Sequence, residues 1–205
     1  MRKIKFCGVT RTADVLLAAD LGVDYVGLVF YPPSPRAVSL IQATHLAAVA
    51  RSRGIQVVAL TVNAAPALYE SVAALIKPDF WQLHGDESEQ AITHIKTMFG
   101  KPVIKAFAIA SPQDIPRTSA ADFWLFDAKP APTDTLPGGN GRGFDVSLIQ
   151  NVSVPFFLSG GLTPETVRDI CERTHPFAVD VSSGIETVRG VKDPLKMRAF
   201  VRGVL

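Results

Sequence analysis

Eight short runs rich in β-branched and aromatic residues alternate with longer stretches of helical spacing, and that alternation limits the possible folds more than any other feature. The runs that read as strands lie at 3–7, 24–30, 56–62, 79–84, 102–108, 122–127, 154–158 and 177–181. Helical periodicity is expected at 11–20, 39–52, 65–76, 88–98, 111–119, 145–150, 163–173 and 193–202. Ser88 between Glu87 and Glu89, Thr163 before Pro164 and Asp193 before Pro194 have the chemistry of helix starts. Strands linked through helices lie parallel and cross over right-handed. Eight such units in a row predict an α/β fold, a single (β/α)8 TIM barrel, for which 205 residues is short but sufficient. An open doubly wound sheet competes, but no Gly-x-Gly-x-x-Gly follows the first run. No linker or low-complexity stretch divides the chain, so residues 1–205 read as one domain.

Three strands open alike, with Asp24-Tyr25-Val26, Asp79-Phe80-Trp81 and Asp122-Phe123-Trp124. In a barrel these aspartates sit on the bottom face, where polar features serve stability. Composition narrows the function. A hydrophobic share of 47% and a charged share of 20% suit a globular core. A net charge of +2 argues against a dedicated nucleic-acid binder. No apolar run approaches the roughly 20 residues of a membrane helix, and no signal peptide is visible behind Met1-Arg2-Lys3-Ile4-Lys5. Cys7 and Cys171 make no disulfide framework, so a reducing, cytoplasmic setting is expected. No spacing of His, Cys, Asp or Glu suggests a metal site.

Barrel chemistry lies at the C-terminal ends of the strands. The first ends in Lys5-Phe6-Cys7-Gly8, and the period of two puts Lys5 and Cys7 on one face, pointing into the barrel. A buried lysine needs a partner, and beside a thiol it would favour the thiolate. Cys7 equally suits a small core hydrophobe. The sixth run ends in Phe126-Asp127, a carboxyl at the end of an apolar strand, where poor hydration favours the protonated acid. The alternative is an aspartate capping the turn. Residues 129–143, rich in Pro and Gly, follow as a long loop that reads as a mobile lid. Tyr31-Pro32-Pro33-Ser34-Pro35-Arg36 is a stiff loop presenting one arginine, either to a carboxylate or phosphate or to solvent. Gly160-Gly161 and Ser182-Ser183-Gly184 follow the seventh and eighth strands, where barrels grip phosphate with backbone N–H groups and a short extra helix. Residues 183–187 are expected to form that helix. His84 lines the pocket or is a structural histidine. His45, His94 and His175 read as surface residues, and Cys171, on an outer helix, cannot reach Cys7.

Taken together, Lys5-Phe6-Cys7-Gly8-Val9-Thr10, Ser34-Pro35-Arg36, Gln82-Leu83-His84-Gly85, Phe126-Asp127, Gly138-Gly139 to Phe144-Asp145, Ser159-Gly160-Gly161-Leu162, Asp180 to Glu186, and Gly190 to Asp193 with Lys196 resemble the phosphoribosylanthranilate isomerases over nearly the whole chain. The resemblance implies a barrel of the ribulose-phosphate-binding type and an Amadori rearrangement of tryptophan biosynthesis that needs no cofactor. It implies a phosphorylated small-molecule substrate and a monomer or homodimer. By the same resemblance Asp127 is the general acid and Cys7 the general base. Arg36 meets the anthranilate carboxylate. Gly160, Gly161, Ser182, Ser183 and Gly184 grip the phosphate; Lys5 and His84 are expected to bind substrate from their positions at strand ends. Thr61, Val146 and Thr166 depart from the family pattern. Three other readings are weighed against this one. The histidine-pathway sugar isomerase has Asp where Cys7 stands. Indole-glycerol-phosphate synthase needs a Lys/Glu set that is not found. A barrel kept only for binding would not need both Cys7 and Asp127.

Overall fold

The computed structural model describes residues 2–205. Its eight parallel strands are β1 (Lys3–Cys7), β2 (Tyr25–Val29), β3 (Gln56–Thr61), β4 (Phe80–Leu83), β5 (Val103–Ile109), β6 (Phe123–Ala128), β7 (Phe156–Leu158) and β8 (Ala178–Val181). Each pairs with the next, and β8 returns to β1 in the register Lys3 to Ala178 and Lys5 to Asp180, which closes the barrel. Helices α1 (Thr12–Asp20), α2 (Leu40–Ser52), α3 (Pro66–Leu75), α4 (Glu89–Phe99), α5 (Val167–Thr174) and α6 (Pro194–Val204) pack outside it.

The bottom of the barrel interior is filled by Tyr25, Val58, Phe80, Ile104, Leu125, Phe157 and Ala178. Edge-to-face contacts of Tyr25 with Phe80 (5.4 Å) and Phe157 (5.7 Å) lock this layer. Above this layer several inward side chains are polar, with Lys5, Gln82, Asp127 and Asp180 all buried. The strand-opening aspartates form a ladder beneath. Asp24 accepts from Ile4 N (2.8 Å), Asp79 from Val57 N (2.8 Å) and Asp122 from Val103 N (2.9 Å). Each therefore ties the start of its own strand to the start of the preceding one.

Ser88 accepts from Ala91 N at the start of α4, and Asp193 accepts from Leu195 N and Lys196 N at the start of α6. Two expected helices do not form. Residues 111–119 hold only a 3-10 turn at Pro112–Asp114, and 145–150 only one at Val146–Ile149. In the first, Pro116 has no N–H and its ring opposes a helical turn, while Asp114 draws in Ala110 N and Ser111 N. In the second, Asp145 accepts from Ser147 N, and the stretch is too short to repay helix nucleation. Ile115 and Leu148 from these segments, with the adjacent Phe144, pack on the cluster of Trp124, Phe126 and Phe156 instead. The helix expected from 163 starts at Val167, because Thr166 Oγ1 accepts from Thr163 N in a preceding turn. The helix expected at 183–187 is one 3-10 turn, Ser183–Ile185, followed by an unforeseen hairpin of β9 (Glu186–Val188) and β10 (Val191–Lys192). Gly190 turns that hairpin at φ +86°, where a Cβ would come within 2.6 Å of Pro35 O.

Candidate active site

Period-two alternation along β1 puts Cys7 above Lys5 on the interior face. Lys5 is fully buried and donates to Asp180 Oδ1 at 2.8 Å. Gly27 on β2 leaves room for both groups, since a Cβ there would sit 3.0 Å from Cys7 Sγ and 3.1 Å from Lys5 Nζ. Lys5 lies in the floor and is not among the side chains that line the cavity above. Nor does it win at the thiol. Burial pushes the Cys7 thiol above its ordinary value and the Asp180 carboxylate adds to this, against the opposing pull of Lys5 and Lys192. Lys5 itself loses by burial but is held above its ordinary value by Asp180 and Cys7.

Asp127 ends β6 across the mouth. Its Oδ1 accepts from Ala128 N at 2.8 Å, and its Oδ2 lies 3.5 Å from His84 Nε2. His84, at the end of β4, contacts Gln82 Nε2 through Nδ1 at 3.0 Å. Arg36 hangs from the proline-stiffened loop after β2, where Ser34 Oγ accepts from its backbone N–H. Its guanidinium is buried rather than solvated. Nε and Nη2 donate to Glu186 Oε1 (2.8 Å) and Oε2 (2.9 Å), and Nη2 also reaches Gly139 O at 3.3 Å. Glu186 is shared with Lys192 Nζ at 2.8 Å, which also donates to Ser182 O. Burial acts to raise Glu186, but Arg36 and Lys192 outweigh it and hold the carboxyl below its usual range. Gly8, at φ +69°, is what lets the Arg36 side chain pass, because a Cβ there would meet its Cδ.

Cys7, Arg36, His84, Asp127, Ser159 and Ser182 line one cavity of about 520 Å³, walled by Val29, Leu60, Val62 and Leu136. Residues 136–139 of the long loop close it on one side. A narrower recess of about 260 Å³ joins it, lined by Gly160, Gly161, Ser182, Ser183 and Gly184 with Asn140 and Gly141. The Asp127 and Asp180 carboxylates border this recess too, and no lysine or arginine side chain lines it, so only backbone N–H groups and the serine and Asn140 side chains could face an anion there. Gly161 adopts φ +64° and a Cβ would lie 2.6 Å from Gly143 N, while one on Gly184 would overlap Leu162 O. Gln82, Asp180, Glu186 and Lys192 stand within the sequence motifs but were assigned no role in the site. Only Asp180 left a signal, since a buried Lys5 requires an acid on a neighbouring strand.

His45, His94 and His175 are exposed, and Cys7 and Cys171 are free and buried. Among the described residues no cluster of His, Cys, Asp or Glu is arranged to hold a metal, and no helix is long and apolar enough to cross a membrane. Thr61 and Thr166, two departures from the family pattern, are satisfied locally: Thr61 Oγ1 meets Tyr69 OH at 3.0 Å, and Thr166 bonds Thr163.

A closed (β/α)8 barrel with a titratable pair at its mouth, an arginine at one side and an amide-lined anion recess at the other defines an enzyme acting on a phosphorylated small molecule. A family model described as N-(5'phosphoribosyl)anthranilate (PRA) isomerase matches residues 4–203, and the chain belongs to that family. It is an aldose–ketose isomerase of tryptophan biosynthesis, converting N-(5-phosphoribosyl)anthranilate to 1-(2-carboxyphenylamino)-1-deoxyribulose 5-phosphate. The N-(5'-phosphoribosyl)anthranilate isomerase of Cereibacter sphaeroides is 42% identical over 206 residues, with 98% of this chain and 97% of that protein covered. That of Rhodospirillum rubrum is 43% identical over 210 residues, covering 98% and 96%. The crystal structure of the Thermotoga maritima enzyme superposes with a TM-score of 0.86 at 32% identity, covering 100% of this chain and 98% of that one. A phosphoribosyl anthranilate isomerase structure in complex with reduced 1-(o-carboxyphenylamino)-1-deoxyribulose 5-phosphate gives 0.85 at 32% identity, with the same coverage.

Proposed function

We propose that Asp127 is the general acid and Cys7 the general base of this rearrangement, acting on one substrate held between Arg36 and the amide-lined recess. One observation carries the assignment: Cys7 and Asp127, which end strands on different sides of the ring, line the same cavity. Asp127 gives the proton on Oδ2 to the furanose oxygen, because Oδ1 already faces the Ala128 N–H. The C1–O bond breaks and the ring opens to a Schiff base. Cys7 removes the C2 proton, and the resulting enolamine tautomerises to the ketone. One group must give a proton and the other take one; at Cys7 burial opposes the thiolate, while the charges of Lys5 and Lys192 favour it. The phosphate sits between Gly160-Gly161 and Ser182-Ser183-Gly184, remote from the reacting carbons, where it orients without entering the chemistry. Apolar Val29, Leu60 and Val62 suit the anthranilate ring, and Arg36 Nη1, which Glu186 leaves free, meets its carboxylate. His84 borders the reacting sugar. Hydrogen only moves within one molecule, so no cofactor is required.

The same reading takes residues 1–205 as one domain, the cytoplasm as its compartment, with both thiols free, and a monomer or homodimer as its assembly. A Thermotoga maritima relative is described as a dimeric isomerase. Single-turnover kinetics test the central assignment. Cys7→Ala and Asp127→Asn are each expected to lower the rate by at least about 10²-fold. Near wild-type turnover by either variant overturns its role.

A further inference from the structure

Gln82 is fully buried on β4, two residues before His84, which follows the strand, and the reaction as derived gives it nothing to do. Its Nε2 lies 3.0 Å from His84 Nδ1, while its Oε1 is buried with no hydrogen-bond partner. That orphan decides the orientation of the amide. Turning the amide over would put an NH2 group, with two donors, where one carbonyl oxygen now goes unpaired, and buried orphan N–H groups are rarer and costlier than under-satisfied oxygens. The amide nitrogen therefore faces His84. It carries only donors, so Nδ1 must accept, and the ring proton of the neutral imidazole lies on Nε2. An imidazolium would set two N–H groups against each other across the 3.0 Å gap. Nε2 in turn lies 3.5 Å from Asp127 Oδ2, the carboxyl oxygen that the Ala128 N–H does not occupy. Gly138 of the long loop packs over this pair, and a Cβ there would press on both groups.

We propose that Gln82 fixes His84 as its neutral Nε2–H tautomer, and that His84 in this form donates a hydrogen bond to Asp127 Oδ2 as the acid gives up its proton. Gln82 is then a positioning residue, acting through His84. The proposal rests on Asp127 being the acid. At 3.5 Å the contact is long for a hydrogen bond, and it shortens when substrate draws the acid into place, as catalytic contacts in empty sites do. The negative charge left on Oδ2 after proton transfer then meets an N–H instead of apolar wall. The interaction is stronger after the transfer than before it, so it appears in kcat more than in KM.

Long-range ¹H–¹⁵N NMR of the full chain labelled in its 4 histidines reads the tautomer directly, with His84→Gln used to assign the His84 signals. The expected wild-type pattern is a neutral His84 protonated on Nε2. In Gln82→Glu a carboxylate replaces the donor, and His84 is expected to move to the Nδ1–H tautomer, which leaves Nε2 without its proton. There kcat falls roughly ten- to a hundredfold, the worth of one hydrogen bond to a charged group, while KM changes by less than about threefold. His84→Gln, which keeps an N–H near Nε2, is expected to retain more turnover than His84→Leu. A wild-type His84 protonated on Nδ1, or an unchanged kcat in Gln82→Glu once the NMR shows the tautomer has moved, overturns the proposal. The tautomer is read without reference to Asp127. An active Asp127→Asn therefore overturns the acid assignment, whereas an inactive Asp127→Asn beside an Nδ1–H His84 overturns only this inference.

Discussion

The thiol of Cys7 sits among Lys5, Lys192 and Asp180, with burial as the largest influence on it. Because the folded-state thiol is pushed up, its thiolate fraction grows with pH beyond the ordinary thiol range. The same sign applies to stability: the neutral thiol's contribution is complete below the unfolded-state value and is lost as pH rises through the folded one. Asp180→Asn removes an anion that raises the thiol, so the ionisation of Cys7 should move to lower pH. Lys5→Met should move it the other way. The pH dependence of Cys7 alkylation, with Cys7→Ser as the blank for Cys171, checks both directions, and a shared direction contradicts the arrangement. Arg36 offers a second test at this scale. Lys192 remains beside Glu186 when Arg36 is cut to alanine, so the acid is not left alone. Arg36→Ala should raise KM by about tenfold or more with a smaller change in kcat, as lost carboxylate binding requires. An unchanged KM counts against that contact.

Strand openings and turns carry the next level of organisation. The aspartates at 24, 79 and 122 were legible as structural from their repeated context, and each accepts the N–H of a neighbouring strand. Asp79 is the simplest to test. Its removal leaves Val57 N without its acceptor, at about 1–3 kcal/mol. Asp79→Ala should lose that much in urea denaturation while kcat per folded molecule stays at the wild-type value. Strand positions were legible throughout, because a strand buried on both faces must be apolar over its length. The failures were local. Pro116 and Asp114 turn 111–119 away from helix, and the hydroxyls of Thr163 and Thr166 delay α5. Side chains there compete with the backbone for its own hydrogen bonds, which periodicity does not register.

At the scale of the molecule, one closed sheet joins β1 to β8, and the turns after its last two strands line the recess proposed for phosphate. Calorimetry should therefore show a single cooperative transition, as one domain requires. Inorganic phosphate should raise its midpoint by about the amount mass action gives for a ligand of the folded state. In Gly161→Ala that shift should vanish, because the added Cβ strains the φ +64° turn and displaces Gly143. Two separate transitions overturn the single domain, and an undiminished phosphate shift in the variant overturns the recess.

The order of the eight barrel strands, their parallel closure, the inward pair Lys5 and Cys7, and the glycine turns were all determined by the sequence. Each follows from a short-range rule of periodicity, strand alternation or the freedom of glycine. Only the tertiary structure decided that Lys5 belongs to Asp180, that Arg36 is clamped by Glu186 from an unforeseen hairpin, and that His84 stands between Gln82 and Asp127. Lys5 and Asp180 are 175 residues apart, and Arg36 and Glu186 are 150 apart. A buried charge announces that it needs a partner. Which partner it takes depends on the register at which the barrel closes, and no local pattern contains that.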